Sequence, residues 1–184
     1  SIVTDGQYLW VGIMMNEDYS SASSVVKIDI NSNSVVETYE VGLGPTSMVI
    51  DNGDIYVART YYNENWESFH GSSKIGYSEI VINNYGIGTA CGGSIMKYSN
   101  EIYRSFDGGI ASLDFNLDVN ILSRIGSYDQ SQVYSTEVIG DYIYFGLFTS
   151  LNTNQVRVKD FNNNEVAIYD VGLLPGDFAI WNNN

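Results

Sequence analysis

Pro45-Thr46-Ser47-Met48-Val49-Ile50-Asp51-Asn52-Gly53-Asp54-Ile55-Tyr56-Val57-Ala58 reads as an apolar strand, a tight turn and a second strand. The pattern returns in altered form along the chain. An earlier copy is Ser1-Ile2-Val3-Thr4-Asp5-Gly6-Gln7-Tyr8-Leu9-Trp10-Val11. Later copies begin at Ser94 and Ser135, and a half-copy, Asp177-Phe178-Ala179-Ile180-Trp181, lies near the C-terminus. The copies start 46, 47, 41 and 42 residues apart. Internal repetition at this period signals stacked supersecondary units, so it takes precedence over other local patterns.

Each interval divides alike. In the first, Ile2 to Asp5 is an innermost strand A and Tyr8 to Met14 a strand B. Ser24 to Ile30 is strand C, and Val35 to Val41 strand D. Alternation such as Val26-Lys27-Ile28-Asp29 has the period of two expected of a sheet, and no segment carries a sustained helical stripe. Strands C and D are joined by Asp/Asn-rich turns at Asp29–Ser34, Asp114–Asp118 and Asp160–Glu165, with Gly76-Tyr77-Ser78-Glu79 a degenerate copy. Val41-Gly42-Leu43-Gly44-Pro45 and Val171-Gly172-Leu173-Leu174-Pro175 mark the crossing to the next inner strand. The expected fold is all-β: a β-propeller of four four-stranded blades at about 1–46, 47–93, 94–134 and 135–176. Residues 177–184 are expected to act as a closing inner strand. The alternative is an open fragment of a larger propeller; a β-sandwich is the competing architecture.

Asp29 to Val41, Val41-Gly42 with Pro45, and Ile55-Tyr56-Val57 together resemble the YVTN and NHL families of propeller repeats. The resemblance extends over nearly the whole chain, departs at Gly76, and implies an architecture rather than an activity. It also implies that B–C and D–A connections share one face, with A–B and C–D turns on the other.

Composition narrows the function classes. A formal charge of −14 and a pI near 4.1 repel nucleic-acid phosphates and anionic membranes, leaving glycans, cations and basic protein patches as partners. No apolar run approaches the ~20 residues of a membrane span. Cys91 is the only cysteine, so no intrachain disulfide forms, and its small neighbours Ala90 and Gly92 read as packing. The chain shows neither an initiating Met nor a leader and is read as processed or trimmed; its low Lys and abundant Asn, Ser and Tyr resemble extracellular or cell-surface domains.

The longest irregular loops fall on the B–C/D–A face. They supply Tyr61, Tyr62, Trp66, Glu67, His70, Tyr128, Asp129 and Gln132 as candidate ligand-binding residues. Aromatic faces with amide and carboxylate edges suit a sugar ring or a protein hot spot. The leading expectation is therefore a non-enzymatic recognition or surface module for a glycan or protein. A second reading is a glycoside hydrolase or lyase using Asp5, Asp51, Glu137 and Asp177 along a central channel. Asp5 and Asp51 are each followed by turn residues, so turn capping is the role expected of them ahead of catalysis. A third is structural assembly, with oligomerisation through an open edge if the ring is not closed. No cofactor or resident metal is expected; Glu137, a charge among apolar inner-strand positions, is the candidate for holding a channel cation. Asp114–Asp118 opens like a calcium loop but lacks the later Gly and Glu.

Overall fold

The computed structural model describes all residues except 89–92, 150–152, 180 and 182–184; Cys91 and Ile180 lie outside the described residues. Strand alternation decides the architecture. On Asp54–Tyr62, Ile55 and Val57 pack with Trp10, Val25 and Met48, while Tyr56 and Ala58 on the opposite face pack with Ile95 and Ile102. A sandwich sheet buries one face, so burial of both places this sheet between two neighbours.

The first sheet is β1 (Ile2–Thr4), β2 (Tyr8–Met15), β3 (Ser21–Asp29) and β4 (Ser34–Glu40). The second is β5 (Pro45–Asp51), β6 (Asp54–Tyr62), β7 (Ser68–Ile75) and β8 (Ile80–Ile87). The third holds β9 (Ile95–Tyr98), β10 (Glu101–Phe106) and β11 (Gly109–Ser112). The fourth is β12 (Val133–Ile139), β13 (Tyr142–Leu147), β14 (Asn154–Asp160) and β15 (Glu165–Val171). All pairings are antiparallel between chain neighbours, with registers such as Met48↔Val57 and Tyr56↔Lys74. Two 3-10 turns, Ile121–Ser123 and Gln130–Gln132, are the helical elements among the described residues. The chain is a four-bladed propeller array. Its blades are held by three apolar cores, each at one interface between successive sheets. Val25, Val57 and Phe145 are fully buried there, each worth about 1.5–3 kcal/mol.

The third blade departs from the expected four strands. Its outer position is held by Val119–Ile125, which meets the blade through single bridges at Leu113↔Val119 and Ile110↔Ile125. The cause is Leu117. It adopts φ 65°, is fully buried, and its carbonyl accepts from Tyr85 Oη and Asn83 Nδ2 of the second blade. That anchor draws the Asp114–Asp118 turn inward and prevents a regular fourth strand.

Each crossover lays the next inner segment over the sheet before it. Gly12 gives Pro45 room on the first sheet; Gly146 gives Pro175 room on the fourth, where Ser135 Oγ also donates to Pro175 O. Phe178 then rests on Tyr144 at 5.8 Å between rings. Asp177–Ala179 carry no strand assignment, and the partner of β2 in the first blade is β1. Among the described residues, strand pairing thus does not join the four sheets into a closed ring.

Candidate functional site

Two B–C hairpins, one from each of the first two blades, are built to the same plan. In the loop Asn16–Ser20, Asn16 N donates to Ser20 O at 2.8 Å and Tyr19 N to Asn16 O at 3.0 Å. In Asn63–Glu67, Asn63 N donates to Glu67 O at 3.1 Å and Trp66 N to Asn63 O at 3.0 Å. This geometry puts the fourth residue in the left-handed region, and Tyr19 and Trp66 have φ 66° and 60°. The related C–D turns fill that place with Asn33 and Asn163, which tolerate it through their short polar side chains. A bulky aromatic there is strained, and both rings project outward: Tyr19 is 79% and Trp66 77% exposed.

Side-chain bonds hold the loops in shape. Asn63 Oδ1 accepts from Asn65 N and Glu67 N, both at 2.9 Å, and Asn63 Nδ2 donates to Glu67 Oε2 at 2.7 Å. Asp18 Oδ1 accepts from Ser20 N at 3.0 Å and from Ser20 Oγ; these bonds lower the Asp18 pKa. Between the hairpins lies a cavity of about 390 Å³ lined by Met15, Asp18, Tyr19, Tyr62, Glu64 and Trp66, among others. Tyr62 and Trp66 stand 6.1 Å apart, centroid to centroid.

The structure brings Tyr62 and Trp66 into this cavity, with Glu67 bracing the loop. Tyr61 instead stacks on Phe69 at 5.8 Å, and its hydroxyl donates to Asn84 Oδ1 at 3.4 Å. His70 lies within β7 as the cross-strand partner of Thr60 and is buried at the interface with the third blade. Burial first, and the Arg104 cation second, lower its pKa to about 4. Tyr128 packs on Phe145 at 5.0 Å, and burial raises its pKa to about 12. Asp129 caps the Gln130–Gln132 turn by accepting from Ser131 N at 2.9 Å, and Gln132 O accepts from Phe148 N. Tyr19 and Met15 were absent from the sequence-derived set. The signal was available: Asn16-Glu17-Asp18-Tyr19 and Asn63-Glu64-Asn65-Trp66 are copies of one tetrapeptide.

The inner strands line a second cavity, of about 370 Å³. Ser47, Ser94 and Ser135 meet there with Ser1, Glu137 and Asp177. Glu137 is raised above the ordinary carboxylate range, by burial first and then by Asp177. Asp5 is committed to its turn: it accepts from Gln7 N, Tyr8 N and Trp10 Nε1. Asp51 differs from the turn-capping expectation; it is buried and ion-paired with Lys97 on β9 of the next blade. Asp114 Oδ1 accepts from Asn116 N and Asp118 N, a hairpin function rather than an ion loop. Among the described residues no three His, Cys, Asp or Glu side chains gather as a metal-holding group.

Comparison with known proteins adds the fold family in broad terms. No family model and no curated protein sequence matches the chain. Among solved structures, it is similar to Kuenenia stuttgartiensis hydrazine synthase (TM-score 0.65, 18% identity) over 91% of this chain and 47% of that one. It is also similar to the dihydro-heme d1 dehydrogenase NirN, in complex with DHE (TM-score 0.55, 12% identity), over 91% of this chain and 36% of that one. The chain therefore spans about half and about a third of these two proteins. At such identities the likeness concerns the propeller fold alone.

Proposed function

We propose that this propeller is a recognition module that binds carbohydrate between the Asn16–Ser20 and Asn63–Glu67 hairpins, and that its repeats are kin to the YVTN/NHL-type propellers. One observation carries the reading: two aromatic residues, Tyr19 and Trp66, occupy the same left-handed position in matching loops and face water across one cavity. Holding a bulky ring in that conformation costs of order 1 kcal/mol, and such strain concentrates at ligand sites. Tyr and Trp faces stack on the C–H faces of sugar rings, while Asp18, Asn63 and Glu64 offer polar edges to hydroxyls. A cavity of about 390 Å³ suits one or two sugar units. The two carboxylates at its rim and the net charge of −14 favour neutral or amine-bearing sugars over sulfated or uronic ones. A binding role of this kind fits an extracellular setting.

The test is a glycan array followed by titration of hits against intrinsic Trp fluorescence. Neutral or amino-sugar hits whose affinity falls at least tenfold in Trp66→Ala and in Tyr19→Ala support the reading. A blank array, or hits whose affinity both variants keep, removes it. Capture of basic peptides instead of sugars would assign the same cavity to a protein ligand.

A further inference from the structure

A separate cavity lies between the second and third blades, away from the aromatic hairpins, and its chemistry is cationic. It has a volume of about 20 Å³, room for one water- or halide-sized species. Thr60 and His70 from the second blade and Arg104 from the third line it; their exposures are 3%, 8% and 1%. Thr60 and His70 are cross-strand partners on β6 and β7, so they present one face to Arg104.

Arg104 is a buried cation without an anion. Its Nη1 donates to Gly71 O and, at 2.9 Å, to Ser72 Oγ; its Nε donates to Ser105 O at 3.0 Å. The guanidinium lies over the Tyr85 ring at 4.8 Å. All these acceptors are neutral. The ion pairs among the described residues are Lys97–Asp51, Arg124–Asp107 and Arg157–Glu165, and Arg104 is in none of them. The lining carboxylate Asp107 is itself turned to Arg124. On the lining residue Thr60, Oγ1 is buried with no hydrogen-bond partner among the described residues; His70 Nδ1 packs against Gly88, outside the cavity lining. An unpaired buried charge and an unpaired buried hydroxyl are costly unless a ligand answers them. Thr60 Oγ1 is a donor able to reach an anion, and the imidazole donates from whichever nitrogen carries its proton.

We propose that this cavity binds a monovalent, halide-sized inorganic anion that neutralises Arg104 and ties the second blade to the third. The size admits chloride or bromide and excludes sulfate, phosphate and organic acids. The site is independent of the carbohydrate reading.

The experiment has two arms on the whole chain. In the first, gluconate is replaced by chloride at constant ionic strength while the melting midpoint is followed. A rise of about 4 °C at tenfold excess over half-saturation is expected. Thr60→Val keeps the side-chain shape and should raise the half-saturating concentration at least tenfold; His70→Gln provides a second variant should Thr60→Val fold poorly. In the second arm, crystals grown in bromide are examined by anomalous scattering, with a peak expected among Thr60, His70 and Arg104. Equal midpoints in the two anions, or no bromide at that position, overturn the proposal and leave water as the occupant.

Discussion

Tyr19 and Trp66 hold the two costs this molecule accepts for its exposed face: a left-handed backbone and rings in water. Replacing either with Asn, which suits the conformation, should stabilise the fold by about 0.5–1 kcal/mol in chemical denaturation while weakening sugar binding. Simple surface residues would show neither effect. His70 supplies a second prediction at this scale. Its folded pKa of about 4 lies below the ordinary 6.5, so the unfolded chain binds the proton more readily. Stability is therefore full above pH 6.5 and is lost as pH falls through the window toward 4. The loss is up to about 3 kcal/mol. His70→Gln should flatten that part of the pH–stability curve; the window of the Asp5, Asp29 and Asp160 carboxylates, all lowered by hydrogen bonds, lies further into acid. Tyr62 and Trp66 were legible as neighbours on an irregular face because a long polar loop advertised them, and both line one cavity. Tyr19 was not, since Asn16–Ser20 is a short turn whose meaning emerges only beside its copy. His70 reads as part of that loop until its pairing with Thr60 places it inside a strand facing inward.

At the scale of elements, turns and crossovers were legible where a local rule dictates them. Alternation set the faces of β2, β3 and β6, and Asx side chains bonding two residues onward set the C–D hairpins, as Asp29, Asp114 and Asp160 each do. The outer edge of the third blade was not legible, because Asp114–Asp118 has the composition of the other hairpin turns. What differs is tertiary: Leu117 is fully buried and its carbonyl is held by the second blade. Leu117→Ala should cost about 2–5 kcal/mol and free that edge, visible as faster hydrogen exchange across Val119–Ile125. The crossover at Gly44 is equally specific. It has φ 70°, its N–H donates to Ala22 O, and an added Cβ would sit 1.9 Å from Thr60 O. Gly44→Ala should destabilise by about 2 kcal/mol or more and loosen the first two blades from each other, as seen in urea unfolding.

For the whole molecule, the repeat period carried the architecture. Closure was beyond it, because five inner-strand copies for four blades are compatible with several endings. The structure shows Pro175 and Phe178 seated on the fourth sheet as Pro45 and Met48 are on the first, with no pairing to β2 among the described residues. Removing residues 173–184 should therefore lower the melting midpoint and raise exchange on β13 in particular, while β2 keeps its protection. The overlap has a directional consequence. Like roof tiles laid in one course, every blade is pinned by the segment that follows it, so tension applied at the C-terminal end lifts the last tile first. Pulled through β1, the first blade gives up its inner strand while the segments laid over the four described sheets stay in place. Force spectroscopy from the two ends should then give different first rupture steps from a single equilibrium structure.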